Sequence, residues 1–301
     1  MSSLQENGLI DKVGSLVSPD DLSTKWHPRR LYDYRYVYAV LSRRTGGISV
    51  GINLSPDKRC DYRCIYCEVD RTVPAPCLTV DLAVLESELS ELLAQFRSGD
   101  VFNYSPFDVL DPADRCLKDV AFSGDGEPTA FPHFAACVDR VGALLDQFEF
   151  NAVKLVLITN ATYFHKPWMR EGLAALDRNH AEIWAKLDAG TQAYLHLMNG
   201  TNFPIQRLIK NIAFVGRERP ITVQSMFVKI KGNAMPANQL AAYIDRLKDL
   251  TALGTEIKRV QVYTVSRPVA KSYVTPYTQA ELEGVAGRIS SETGLVVDAF
   301  C

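Results

Sequence analysis

Three cysteines sit within eight residues, in the run Cys60-Asp61-Tyr62-Arg63-Cys64-Ile65-Tyr66-Cys67. Offsets of four and three let three thiolates wrap three corners of a cubane iron–sulfur cluster and leave the fourth iron open to a small ligand. A closed structural site normally takes four protein ligands. The nearest further cysteine is Cys77, beyond Val73-Pro74-Ala75-Pro76. Two other readings stay open: a zinc site completed by Cys77 or a distant histidine, and inert thiols along one helical face. Against the second, Asp61, Arg63, Glu68 and Asp70 crowd the segment and leave no good apolar helix.

A second constellation is Ser123-Gly124-Asp125-Gly126-Glu127-Pro128-Thr129. Its glycines let backbone carbonyls approach a ligand closely. Those carbonyls and the Glu127 carboxylate are acceptors suited to an ammonium group. The same residues also suit an ordinary strand-to-helix turn. Further polar residues fall on or just after apolar runs: Asn160, Lys186, Asp188, Gln224, Lys229, Gln261, Tyr263 and Arg267. Polar side chains inside a parallel barrel are costly unless partnered, so each serves either a site or a structural network.

The spacing Cys-x3-Cys-x2-Cys, with the aromatic Tyr66 before the last cysteine, resembles the signature of the radical S-adenosylmethionine superfamily. Gly124 to Pro128 resembles that family's glycine–glutamate–proline motif, with Asp125 where a glycine is more usual. The resemblance implies a [4Fe-4S] cluster on Cys60, Cys64 and Cys67. It also implies S-adenosylmethionine chelating the open iron, contacted by residues drawn from Tyr66, Gly124, Asp125, Gly126, Glu127, Asn160, Lys186 and Asp188. A flavodoxin or ferredoxin would supply one electron, and cleavage of the cofactor would give a 5′-deoxyadenosyl radical that takes hydrogen from a substrate, whether small molecule, RNA or protein. Gln224, Tyr263 and Arg267 would face that substrate.

Other stretches, Ser42-Arg43-Arg44, Gly51-Ile52-Asn53-Leu54, Lys186-Leu187-Asp188-Ala189 and Arg267-Pro268, are similar to a group of small Fe–S oxidoreductases related to the wyosine synthase of tRNA. Wyosine-type tRNA modification and glycyl-radical-type protein activation are therefore alternatives within the superfamily. A zinc-bearing binding protein is the alternative outside it. No cysteine precedes Cys60 to build the second cluster of the wyosine synthases, and only Cys301 lies past Cys137, so the cysteine-rich C-terminal domain of peptide-maturing branches is missing.

These residues need a scaffold that gathers strand ends. The pattern predicts strands at Ile48–Leu54, Asp119–Ser123, Lys154–Thr159, Glu182–Leu187, Thr222–Lys229, Arg259–Thr264 and Leu295–Ala299. It predicts helices at Leu82–Phe96 (capped by Asp81), Phe134–Phe148, Pro204–Val215, Ala237–Leu250 and Gln279–Thr293. The apolar run Lys154–Thr159 suits a parallel strand buried on both faces. Six main βα units give an α/β fold, a partial (β/α)6 TIM-like barrel that is open or incompletely closed. In such folds reactive groups lie beyond the strands' C-terminal ends, where both constellations fall. The helix-to-strand segment Ser98–Lys118 then lies on the opposite face and is structural or a partner surface. Residues 37–301 form the barrel, and residues 1–36 an arm whose Lys25, His27, Arg29 and Arg30, mixed with tyrosines and Trp26, pack on it or contact RNA.

Composition sets outer bounds. The chain has 301 residues, 47% of them hydrophobic, enough for one large core. Its formal net charge of −2 lacks the basic excess of a nucleic-acid binder and weighs against a tRNA-sized partner. No apolar run approaches the ~20 residues that span a bilayer, and the first residues do not form a signal peptide. The expectation is a soluble, cytoplasmic protein whose seven cysteines are metal ligands or free thiols.

Overall fold

The computed structural model describes residues 34–301 apart from 43, 76, 106 and 268. Most of the expected N-terminal arm, with Arg43 and Pro268, lies outside the described residues. In chain order the elements are β1 (Val37–Ser42), β2 (Gly47–Ile52), α1 (Leu82–Ser98), β3 (Leu117–Phe122), α2 (Phe134–Gln147), β4 (Lys154–Thr159), α3 (Pro167–Arg178), β5 (Glu182–Lys186) and α4 (Gln192–Asn199). There follow α5 (Ile205–Gly216), β6 (Ile221–Met226), β7 (Val228–Ile230), α6 (Ala237–Ala252), β8 (Ile257–Tyr263), β9 (Val274–Pro276), α7 (Gln279–Thr293) and β10 (Val297–Phe300).

Eight strands form one curled sheet in the order β1-β2-β3-β4-β5-β6-β8-β10, open between its two edges. All neighbours are parallel except the β1–β2 hairpin. This is the open partial barrel expected, with one antiparallel strand added at its edge. Side chains alternate across the strands. Val120, Phe122, Leu155, Leu157, Ile183, Val223 and Val260 face the helices and join the main core. On the other, concave face, Ala121, Val156 and Trp184 form a small separate apolar cluster, and most of the rest is polar.

The helices cover the convex side for sequence reasons. Asp81 Oδ1 accepts from the backbone N–H groups of Ala83 and Val84 and so caps α1, whose Leu85, Leu89, Leu92, Leu93 and Phe96 are buried. Thr278 and Glu281 form a reciprocal capping box at α7. Phe107, in the segment between α1 and β3, is fully buried, in keeping with a structural role.

The predicted strand Thr222–Lys229 is two elements. Phe227 N–H bonds to Tyr263 O, after which the chain turns into β7 and pairs antiparallel with β9. Lys229 is thereby carried to an ion pair with Glu281, 2.8 Å away, and away from the concave face. The final strand begins at Val297 rather than Leu295.

Candidate metal and cofactor site

The cysteine loop follows β2 and is moulded by α4. Arg63 N–H donates to Asn199 O at 2.7 Å and Ile65 N–H to Met198 O at 3.0 Å. Gly200 closes α4 with φ of +58°, and a Cβ there would stand 2.6 Å from Arg63 O. Cys60, Cys64 and Cys67 all line one cavity, together with Gly124, Gly126, Glu127, Asn160 and Lys186. Each sulfur accepts an N–H hydrogen bond: Cys60 from Tyr62 N at 3.4 Å, Cys64 from Asn199 Nδ2 at 3.3 Å, Cys67 from Arg71 Nη1 at 3.1 Å.

Burial pushes the Cys60 thiol up to about 12 and the Cys64 thiol up to about 11. Ionising them at neutral pH takes a bound cation. A single zinc ion would draw its sulfur ligands to about 2.3 Å from one centre, and among the described residues no three His, Cys, Asp or Glu side chains converge in that way. Three thiols around a cavity, each facing an N–H donor, fit a larger group carrying negative charge on sulfur. Cys77 is turned elsewhere, its thiol donating to Tyr36 Oη at 3.7 Å.

Behind the loop lies a buried hub. Asp188 Oδ2 accepts from Tyr66 Oη and, at 2.7 Å, from Asn199 Nδ2, while Oδ1 accepts from Met226 N at 2.8 Å and faces Lys186 Nζ at 3.8 Å. The Lys186 ammonium lies between the rings of Tyr66 and Tyr263, 5.1 and 5.2 Å from their centroids, and donates to Tyr263 Oη at 2.6 Å. Burial alone would lower its basicity, but Asp188, Tyr263 and Cys64 outweigh that and raise it, so it stays protonated. Asp188 does not line the cavity. It holds Tyr66 and Asn199, which in turn shape the cysteine loop.

The Gly124–Glu127 turn meets that loop from β3. A Cβ on Gly124 would stand 2.6 Å from Asn53 Oδ1, and one on Gly126 2.0 Å from Arg59 O. The glycines therefore nest the turn against the segment after β2, a packing role beyond the ligand approach read from sequence. Asp125 is taken up by Asn53 Nδ2 at 2.9 Å and does not line the cavity.

Glu127, 3% exposed, does line it. Its Oε1 accepts from Thr129 N at 3.1 Å, from Thr129 Oγ1, and from Thr159 Oγ1 at 2.6 Å; among the described residues Oε2 accepts only from Asn160 N, at 2.8 Å. Burial pushes its carboxyl up to about 7 against the pull of those donors. Asn160 Nδ2 donates to Asp61 Oδ1 at 2.6 Å, joining the end of β4 to the cysteine loop.

Gln224, Tyr263 and Arg267 line the same cavity; Arg267 pairs with Glu68, next to Cys67. Cys301 is exposed at the end of β10, with its thiol donating to Tyr277 O at 3.5 Å. Sequence reasoning missed Asn199 and Arg71, both donors to cysteine sulfur. Asn199 was findable only through its helix, which starts at a capping threonine, Thr191, and stops at Gly200.

In fold this is an open, mostly parallel α/β half-barrel, similar to that of TYW1. TYW1 (wyosine synthase), in the structure with a lysine-pyruvate adduct bound, aligns with a TM-score of 0.51 at 13% identity, covering 82% of this chain and 74% of that chain. Spore photoproduct lyase aligns at 0.49 and 10% identity over 80% of this chain and 73% of that chain, too distant to carry an argument. In sequence, UPF0026 proteins of Helicobacter pylori strains J99 and 26695 are each 26% identical over 233 residues, 76% of this chain. The match spans 65% of the length of those relatives. No family model matches the chain. No helix among the described residues is long and apolar enough to cross a membrane.

Proposed function

We propose that this chain is a radical S-adenosylmethionine enzyme, with a [4Fe-4S] cluster on Cys60, Cys64 and Cys67 and the cofactor bound against the Gly124–Glu127 turn. The observation that carries the reading is the shared cavity: three cysteine sulfurs, each with its own N–H donor, open onto the same space as Glu127. When bound and reduced, the cluster supplies the electron that splits the carbon–sulfur bond of S-adenosylmethionine.

The chain's own residues have distinct tasks. The N–H groups of Tyr62, Asn199 and Arg71 stabilise negative charge on sulfur, one of the protein's levers on a cluster's potential. Glu127 Oε2, with one donor among the described residues, would accept from the cofactor's ammonium. That cation pulls the carboxyl back down from about 7, so binding and ionisation reinforce each other. Tyr66 and Tyr263, clamped around Lys186, wall off water beside the cysteines. Arg59 and Arg63 are exposed on the outer side of the loop, a setting for an acidic electron donor of the flavodoxin or ferredoxin type.

Anoxic reconstitution with iron and sulfide tests this reading. It should yield a brown protein with about four irons per chain. Dithionite and S-adenosylmethionine should then yield 5′-deoxyadenosine, and Cys64→Ala should abolish both results. A colourless protein carrying one zinc overturns the proposal.

A further inference from the structure

The lower half of the concave face carries a second polar group that the cysteine end does not use. Arg44 sits in the β1–β2 turn, at the opposite end of the strands from the cysteine loop. Its guanidinium lies 5.6 Å from the Trp184 ring centroid and 5.5 Å from that of Tyr263. Trp184 is on β5 and Tyr263 on β8, the two neighbours of β6, so Arg44 is held over the strand that bears Gln224. Arg44 is half-buried. Among the described residues its guanidinium makes those ring contacts but no hydrogen bond and no ion pair.

Two acceptors on the same cavity are also incomplete. Gln224 is wholly buried; Nε2 donates to Gln261 Oε1 at 2.8 Å, and Oε1 has no partner among the described residues. Asp119 is 2% exposed; Oδ1 accepts from Ser49 Oγ at 2.5 Å, and Oδ2, with Thr45 and Arg44 as neighbours, makes no hydrogen bond among the described residues. Buried polar atoms are almost always satisfied, so two orphans beside an unused guanidinium need a common explanation. Proximity of Arg44 to Asp119 neutralises charge but leaves the fork of N–H donors and both acceptors unmet. The wall above is shaped as well: Tyr38 lies across Gly51, where a Cβ would come 2.1 Å from its ring.

We infer that this lower half binds a small 2-amino acid, with its carboxylate on the Arg44 fork and its ammonium hydrogens on Gln224 Oε1 and Asp119 Oδ2. Arginine's planar fork matches a carboxylate, and its aromatic supports hold that fork in place. The two orphaned oxygens call for hydrogens on the same ligand. The cavity, about 320 Å³ in all and open to the cysteines, holds the ligand to a small molecule. This rests on the proposed function in making the acid its substrate, whereas the binding itself needs no cluster.

The test is thermal-shift screening followed by calorimetry on the full chain. The probes are the common L-amino acids, each against its methyl ester, with L-lactate and L-malate as acids that lack the ammonium. At least one amino acid should bind, its ester should not, and the two hydroxy acids should bind at least about tenfold more weakly. Arg44→Ala should weaken binding at least about tenfold, the loss expected for a charged hydrogen bond. Arg44→Lys, which keeps the charge and the ring contacts, should also weaken it and serves if the alanine variant does not fold. A variant with Cys60, Cys64 and Cys67 all replaced by alanine should bind the acid as before. Failure of every amino acid to bind, or binding that survives loss of the arginine fork, overturns the inference. Acid binding in a chain that takes up no cluster would instead sink the proposed function alone.

Discussion

Asp188 and Asp119 are equally buried, at 2% exposure each, yet their surroundings are opposite. Asp188, near the cysteine loop, has donors from Tyr66, Asn199 and Met226 and a cation in Lys186. Asp119, at the other end of the barrel, has Ser49 on one oxygen and, among the described residues, no hydrogen bond on the second. Both oxygens of the first carboxylate are met by the protein. The second carboxylate keeps one oxygen free for a donor that the described residues do not supply.

That contrast can be broken by measurement. The largest effect belongs to Asp188→Ala, which strands Lys186 as a buried charge and frees Tyr66 and Asn199. Urea denaturation should show a loss of about 3–5 kcal/mol, and a loss below about 1 kcal/mol would mean that the hub is not what holds the loop.

Glu127 comes next. Its folded-state carboxyl, near 7, lies above the ordinary value of 4.5, so the folded chain holds that proton more tightly than the unfolded one. The resulting stabilisation is complete below pH 4.5 and is lost as pH rises through 7, an amount of about 3 kcal/mol. Comparing denaturation at pH 5 and pH 8 measures it in the cluster-free protein, and Glu127→Gln should flatten the difference.

A matched pair sharpens the comparison further. Tyr66→Phe removes a hydroxyl with two buried partners and should cost about 1–3 kcal/mol. Tyr62→Phe, four residues earlier, removes a buried hydroxyl with no partner among the described residues, and its midpoint should move by less than about 0.5 kcal/mol or toward greater stability. The smallest effect is Asp119→Asn, which keeps the oxygen facing Ser49 and should leave ligand-free stability within about 0.5 kcal/mol of the parent. A large loss there would show the lower half to be a finished structural network.

Much of the scaffold was legible because its signals are local. Lys154–Thr159 and Gln279–Thr293 form a strand and a helix with the bounds expected, and Asp81 caps its helix. The apolar run of a doubly buried strand needs no tertiary knowledge to be seen. α4 went unread because it has only eight residues, and α3 because Gly172 interrupts its apolar pattern, at a place where a Cβ would meet the Phe134 ring at 2.9 Å. β1 was not read as a strand, since an antiparallel edge strand carries no βα signature. In the site, the cysteines, Tyr66, Glu127, Asn160 and Lys186 do come together on one cavity. Asp125 and Asp188 do not reach it, because a carboxylate beside a strand end can point to either side and only packing decides. Asn199 acquires its role through a helix terminus brought against a loop more than a hundred residues earlier, a fact of tertiary structure alone.

The backbone pairing of the cysteine loop with the end of α4 has one more consequence. Small metal domains often lose their shape with their metal. Here Arg63 and Ile65 are anchored to Asn199 and Met198 by main-chain bonds that need no metal. If the proposed cluster is bound there, a chain that loses it to oxygen keeps the shape of the loop and can be refilled in place, without passing through an unfolded state.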